Sequence, residues 1–218
     1  MKTQLLAITE EFGTPVYVYD ADQIVAQYHR LKNAFNGRSV KLHYAMKALN
    51  NVNVLRLLRN EGAGLDCVSI EEIHLGLRAG FKPEEIMFTP NCVSFEELVA
   101  GIDLGVHINI DNLFMFEKFG QVYGDSVPCC LRLNPHIMAG GNSNISVGHI
   151  DSKFGISIHQ LRHIQRIMNH YGINVNGLHM HTGSDIIDAD VFLRGAELLY
   201  EAAELFPDLE FMDFGSGF

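Results

Sequence analysis

In Val40-Lys41-Leu42-His43-Tyr44-Ala45-Met46-Lys47-Ala48, residues Val40–Met46 read as a short buried strand with Lys47 at its end, and no G-x-G-x-x-G turn follows. Similar β-rich apolar runs recur at Gly64–Val68, Glu85–Thr89, Val106–Ile110, Val127–Leu133, Gly177–His181 and Glu210–Phe214. The first five begin about every twenty residues, and helical patterns separate them. Asn51–Leu58 and Leu161–Met168 carry apolar residues at helical spacing. Ser69-Ile70-Glu71-Glu72 and Ser94-Phe95-Glu96-Glu97 read as capping boxes, in which serine accepts from a free backbone N–H and glutamate reaches back. Strand, helix, strand in this rhythm means parallel strands joined by right-handed crossovers, and apolar runs suit burial on both faces. Without a glycine-rich dinucleotide turn after the first strand, a doubly wound sheet loses ground to a (β/α)8 TIM-type barrel. About seven βα units are legible where a closed barrel needs eight, so the sequence reads as an incomplete barrel, a fragment truncated before strand 8.

The composition agrees with an α/β domain. Of 218 residues, 47% are hydrophobic and 19% charged, enough apolar material to offset the entropy of folding. The net charge of −10, with no basic run, argues against nucleic acid as a partner. No apolar run approaches the roughly 18 to 20 residues that span a bilayer, so no membrane partner is expected. Met1-Lys2-Thr3-Gln4 leads to Glu10-Glu11 rather than an apolar signal core, and a cytoplasmic location is the expectation. Cys67, Cys92, Cys129 and Cys130 show no C-x-x-C spacing, which makes a disulfide or zinc framework a poor reading. Thr14–Asp20 alternates β-branched and aromatic residues ahead of an amphipathic helix around Ala21–Phe35; it reads as a strand that pairs with something outside the barrel. Asn134–Asp151, with Ala139-Gly140-Gly141-Asn142-Ser143-Asn144, is a polar, glycine-rich loop.

Barrel chemistry collects where strands end at the carboxyl face. Those ends carry Lys47, Asp66, Arg132, His181 and the turn Gly215-Ser216-Gly217. A lysine buried at the end of an apolar strand has its charged form disfavoured, which suits an amine that reacts with an aldehyde. His179 and His181 share one side of a strand and are open to three readings: a metal pair, a ring with a stacking or acid-base role at a flat cofactor, or structural histidines. Thr182-Gly183-Ser184 and the glycine turn could together donate to a phosphate. Arg132 in an apolar strand needs an anion, either Asp66 or a substrate carboxylate. An aldehyde, a flat ring and a phosphate occur together in pyridoxal 5'-phosphate, which acts as an electron sink.

Tyr44–Ala48, Gly64-Leu65-Asp66-Cys67-Val68-Ser69, Gly177–Ser184 and Asp213-Phe214-Gly215-Ser216-Gly217-Phe218 occur in the order of the fold-type III pyridoxal-phosphate decarboxylases, which the chain resembles from about residue 10 to its last residue. Phe12–Asp20 and Arg132-Leu133-Asn134-Pro135 with Ser152-Lys153-Phe154-Gly155-Ile156 are most similar to the diaminopimelate decarboxylases of that family. The resemblance implies an alanine racemase-like barrel over residues 26–218 and an N-terminal strand segment, residues 1–25, that pairs with a C-terminal β-domain outside this chain. It implies that Lys47 holds the cofactor and that His181 stacks on its ring. Ser184, Gly215, Ser216 and Gly217 would bind the phosphate, with serine at 216 where the family usually has glycine. Asp66 would lie near the lysine and ring, and Arg132 would join the charge network; no metal is implied. The implied reaction is decarboxylation of meso-2,6-diaminopimelate to L-lysine, the last step of lysine biosynthesis, in a full-length homodimer. The fragment alone would be inactive. Competing readings are carboxynorspermidine, arginine or ornithine decarboxylation, a non-catalytic pyridoxal-phosphate carrier, and a metal-dependent hydrolase built on His179 and His181.

Overall fold

The computed structural model describes residues 2–137, 152–184, 186 and 188–216. The glycine-rich stretch 139–144 and Gly217 lie outside them. Helices α1 (Lys2–Phe12) and α2 (Ala21–Ala34) precede a βα series. It comprises β1 (His43–Ala45), α3 (Val52–Asn60), β2 (Gly64–Cys67), α4 (Ile70–Ala79), β3 (Ile86–Phe88), α5 (Phe95–Asp103), β4 (His107–Ile110) and α6 (Leu113–Tyr123). It continues with β5 (Cys129–Asn134), β6 (Ile156–Ser157), α7 (Leu161–Tyr171), β7 (Val175–Met180), α8 (Ala189–Ala203) and β8 (Phe211–Asp213). The main strands lie side by side in the order β1-β2-β3-β4-β5-β7-β8, every pair parallel. All seven strands expected from the sequence are present, as an incomplete βα barrel wall. Asp213 on β8 and His43 on β1 lie near enough to shift each other's titration, so the wall curls.

The strands are not apolar on both faces. Leu65, Cys67, Ile86, Phe88, Ile108, Ile110, Leu131, Leu133, Leu178 and Met180 are buried on the outer face and form one core with the helices. The alternate residues face inward: His43 and Ala45, Gly64 and Asp66, His107 and Asn109, Cys130 and Arg132, Gly177 and His179, Phe211 and Asp213. Ladder pairs keep this register, among them His43 with Gly64, Ala45 with Asp66, Arg132 with His179 and His179 with Asp213. At the amino end of the wall, rings fill the space that two glycines leave. A Cβ at Gly64 would collide with His43, and one at Gly177 with Phe211. The His107 and Phe211 rings meet edge to face at 6.4 Å, closing this floor with aromatic contacts.

Local signals placed α2, α3, α4, α5 and α7, with one correction at the start of α4. Ser94 and Glu97 form the complete capping box at α5. At α4, Ser69 Oγ accepts from Glu72 N at 3.3 Å, but the Glu72 carboxylate reaches one residue further and accepts from Val68 N at 2.8 Å. In the N-terminal segment, helices flank the stretch read as a strand. Lys2–Phe12 is helical and α2 begins at Ala21; residues 14–20 between them are exposed, bend at Thr14 and Pro15, and have no ladder partner among the described residues. β6 was not anticipated: its two residues pair with Leu133 and Asn134, on the edge of β5 that β4 has already left.

Candidate active site

Each strand delivers its polar residue to the carboxyl mouth of the wall because the outer positions are taken by the apolar core. Lys47 sits in a single 3-10 turn, Met46–Ala48, directly after β1. Met46 is buried and anchors the turn, while Lys47 is exposed. This corrects the expectation of a buried lysine: the amine stands at the open rim. Its charge still reaches inward, since it helps lower the pKa values of Asp66, His179 and His181.

Asp66 is the penultimate residue of β2 and is hydrogen-bonded by the hydroxyl of Thr89, the residue after β3. Burial pushes its carboxyl up to about 6, Thr89, Lys47 and Arg132 pulling the other way. Arg132 is 6% exposed, and its guanidinium lies 4.6 Å from the centre of the Phe154 ring. Burial lowers its pKa, opposed by Asp111 first and then by Asp66 and Asp213. The expected Asp66 partner is therefore joined by a larger one. Asp111 itself accepts from Asn112 at 3.0 Å and from Asn91, which also donates to the Lys153 carbonyl at 3.3 Å. That carbonyl ties the Lys153-Phe154-Gly155 block over Arg132.

His179 and His181 take different environments. His179 is buried, and Asn109 Nδ2 lies 2.9 Å from its Nδ1. That contact sets the Asn109 amide of β4 against the His179 ring across the inside of the wall. Burial holds His179 well below the ordinary histidine range, with Arg132, His181 and Lys47 adding to the effect. His181 is half-buried at the mouth and pushed down to about 4, mainly by burial and then by Arg132 and Lys47. Its ring is hydrogen-bonded to the Ser216 backbone, so two of the expected site residues meet directly. No three His, Cys, Asp or Glu side chains group as a metal site among the described residues.

The glycine turn fits against the end of β7. Gly215 has φ +62°, and a Cβ there would lie 2.5 Å from the Met180 carbonyl oxygen. Only glycine combines that left-handed backbone with that approach. Asp213 Oδ1 accepts from Gly215 N at 2.8 Å. Ser184 is exposed on the neighbouring loop, beyond the buried Thr182, whose Oγ1 has no hydrogen-bond partner among the described residues. An exposed amine, a neutral imidazole face and a backbone cradle that a side chain would fill form the donor set that pyridoxal phosphate requires. The sequence reading missed Thr89, Asn91, Asn109 and Asp111. A signal existed for two of them, because His107-Ile108-Asn109-Ile110-Asp111 alternates polar and apolar as a strand with one polar face would.

Comparison with known proteins identifies the family of the chain. A family profile described as the pyridoxal-binding domain of pyridoxal-dependent decarboxylases matches residues 21–218. A diaminopimelate decarboxylase of Methanothermobacter thermautotrophicus is 35% identical over 217 residues, covering 96% of this chain and 51% of the relative. The Bacillus subtilis diaminopimelate decarboxylase is 33% identical, covering 93% and 48%. Among solved structures, diaminopimelate decarboxylase of Helicobacter pylori complexed with L-lysine superposes with a TM-score of 0.84 at 30% identity, covering 96% of this chain and 56% of that one. Lysine/ornithine decarboxylase of Vibrio vulnificus complexed with putrescine also gives 0.84, at 28% identity, covering 99% and 56%. The chain spans about half the length of the curated relatives it matches. With residues 21–218 matched and the strand-end residues converging on one mouth, the chain belongs to the pyridoxal-dependent decarboxylases and carries their pyridoxal-binding domain.

Proposed function

We propose that the protein carrying this chain decarboxylates an amino acid with pyridoxal phosphate, and that its substrate is meso-2,6-diaminopimelate, giving L-lysine. The observation that carries the reading is the meeting of Lys47, His181 and the Gly215 turn at one open mouth of a pyridoxal-binding domain. The bound cofactor supplies an aldehyde for the substrate amine and a conjugated ring that takes up the electrons left when carbon dioxide departs. Lys47, whose amine stands exposed at the rim, would hold the cofactor through that aldehyde. His181, uncharged at neutral pH, offers a flat face that excludes water from one side of the ring. Ser184, Ser216 and Gly217 hold the phosphate, with Gly215 shaping the turn. Asp66, near 6, can keep or give up a proton at working pH, and Arg132 stays charged and balances the carboxylates around it.

The relatives named diaminopimelate decarboxylase, at 33–35% identity, support that choice of substrate. We further propose a homodimer and a second domain that pairs with residues 14–20. Val18, Tyr19 and Asp20 of that segment line a cleft of about 550 Å³ with α2, α3 and β1, which gives a partner somewhere to seat. The full-length protein is expected to show a near-visible absorbance band that Lys47→Ala removes, and to release carbon dioxide from meso-diaminopimelate in preference to lysine, ornithine, arginine or carboxynorspermidine. A band without decarboxylation of any of these would favour a cofactor carrier. Turnover of ornithine or lysine in preference to diaminopimelate would move the substrate to that of the Vibrio protein.

A further inference from the structure

Asp213 is the last residue of β8 and has no part in the chemistry above. Its carboxylate lies inside the wall near Arg132, His43 and His181. Its Oδ1 accepts the Gly215 N–H at 2.8 Å, a side chain bonding its own backbone two residues on. That bond fixes the point at which the chain leaves β8. Gly215 then takes φ +62° and is pressed on β7, its missing Cβ position 2.5 Å from the Met180 oxygen and 3.1 Å from His181 Cα. One residue later the Ser216 backbone is hydrogen-bonded to the His181 ring. A continuous set of contacts thus runs from one carboxylate, through a turn that has no room to shift toward β7, to the ring at the mouth.

We propose that Asp213 is a positioning residue: by accepting the Gly215 N–H it fixes the turn that both steadies the His181 ring and carries the phosphate donors. The inference rests on the reading that this turn grips the cofactor's phosphate. What matters is an acceptor at the right reach rather than a charge, so Asp213→Asn should replace the native residue while Asp213→Ala should not. Asp213→Ser, whose shorter hydroxyl makes the same turn more weakly, should fall between them.

The test compares two ligands on the apo form of the full-length protein: pyridoxal phosphate and pyridoxal, which lacks the phosphate. Affinities are read from the near-visible band, and their ratio isolates the phosphate grip from general damage to the fold. The ratio is expected to fall about tenfold in Asp213→Ala, the size of one hydrogen bond to a charged group, and to stay within about twofold of native in Asp213→Asn. Equal weakening of both ligands in Asp213→Ala would overturn the proposal and leave the phosphate reading standing. Native protein that binds pyridoxal as tightly as pyridoxal phosphate would overturn both. An asparagine variant as impaired in the ratio as the alanine variant would also overturn it, by showing that charge and not the Gly215 bond acts. If the alanine variant does not fold, the asparagine-to-serine order decides: a serine ratio equal to that of asparagine counts against the proposal.

Discussion

The two faces of the barrel strands live in different solvents although they share one backbone. Outward, Leu65, Ile86, Phe88, Ile108 and Leu131 are at most 1% exposed and meet only apolar neighbours from the helices. Inward, the buried Asp111, Arg132 and His179 and the part-buried Asp66, His181 and Asp213 gather toward the mouth. The pKa values of Asp66 and Asp213 are raised and those of Arg132, His179 and His181 lowered, in every case with burial as the first cause. The outer face stabilises the fold, and the inner face uses some of that stability to hold groups in states they would not keep in water. Stability and chemistry are therefore separable by choosing which side of a strand to change.

The sharpest test of that separation is Lys47→Ala. The near-visible band of the full-length protein should vanish, while the melting midpoint of the apo form stays nearly unchanged, because an exposed side chain away from packing changes stability by about 0.5 kcal/mol or less. Unfolding of this variant would break the comparison from the inner side. Phe88→Ala tests the outer side: Phe88 has no exposed surface, and its truncation should cost about 3–5 kcal/mol in chemical denaturation, with cofactor affinity of the folded fraction unaltered.

Asp66→Asn probes the cost of the inner face through pH. Burial raises the Asp66 carboxyl from 3.8 to about 6, so the folded protein holds its proton more tightly than the unfolded chain. The ionised form then works against folding. The penalty is absent below about 4, grows as pH rises, and is complete above about 6. The melting midpoint of Asp66→Asn relative to the native protein should therefore improve between pH 4 and pH 7; a constant difference across that range would show that Asp66 carries no such penalty. Ser94→Ala, the smallest effect, removes the acceptor of the complete capping box and should cost about 1 kcal/mol, again with no change at the mouth.

The same division explains what was legible in the sequence. The outer face announces itself as apolar runs with helical patterns between them, and these gave all seven main strands in order. Lys47, Asp66, Arg132 and His181 stood out because each is polar at the end of such a run. Asn109 and Asp111 did not: the alternation from His107 to Asp111 marks a polar face, but its partner emerges only when the fold sets Asn109 against His179, seventy residues away. Thr89 and Asn91 matter only through Asp66 and Asp111, contacts between strands that no local pattern encodes. α1 went unread because Lys2–Phe12 lacks a strong apolar stripe. β6 has two residues, too few for any periodicity to show.

The floor of the barrel has a consequence for how this sequence can vary. His43 occupies the volume beside Gly64 that a side chain there would need, and Phe211 does the same beside Gly177. Each pair behaves as a single size quota divided between neighbouring strands. Enlarging either glycine alone should be tolerated poorly, whereas the reciprocal exchange of His43 and Gly64 conserves total bulk and should recover much of the loss, a compensation that drift across such positions would have to respect.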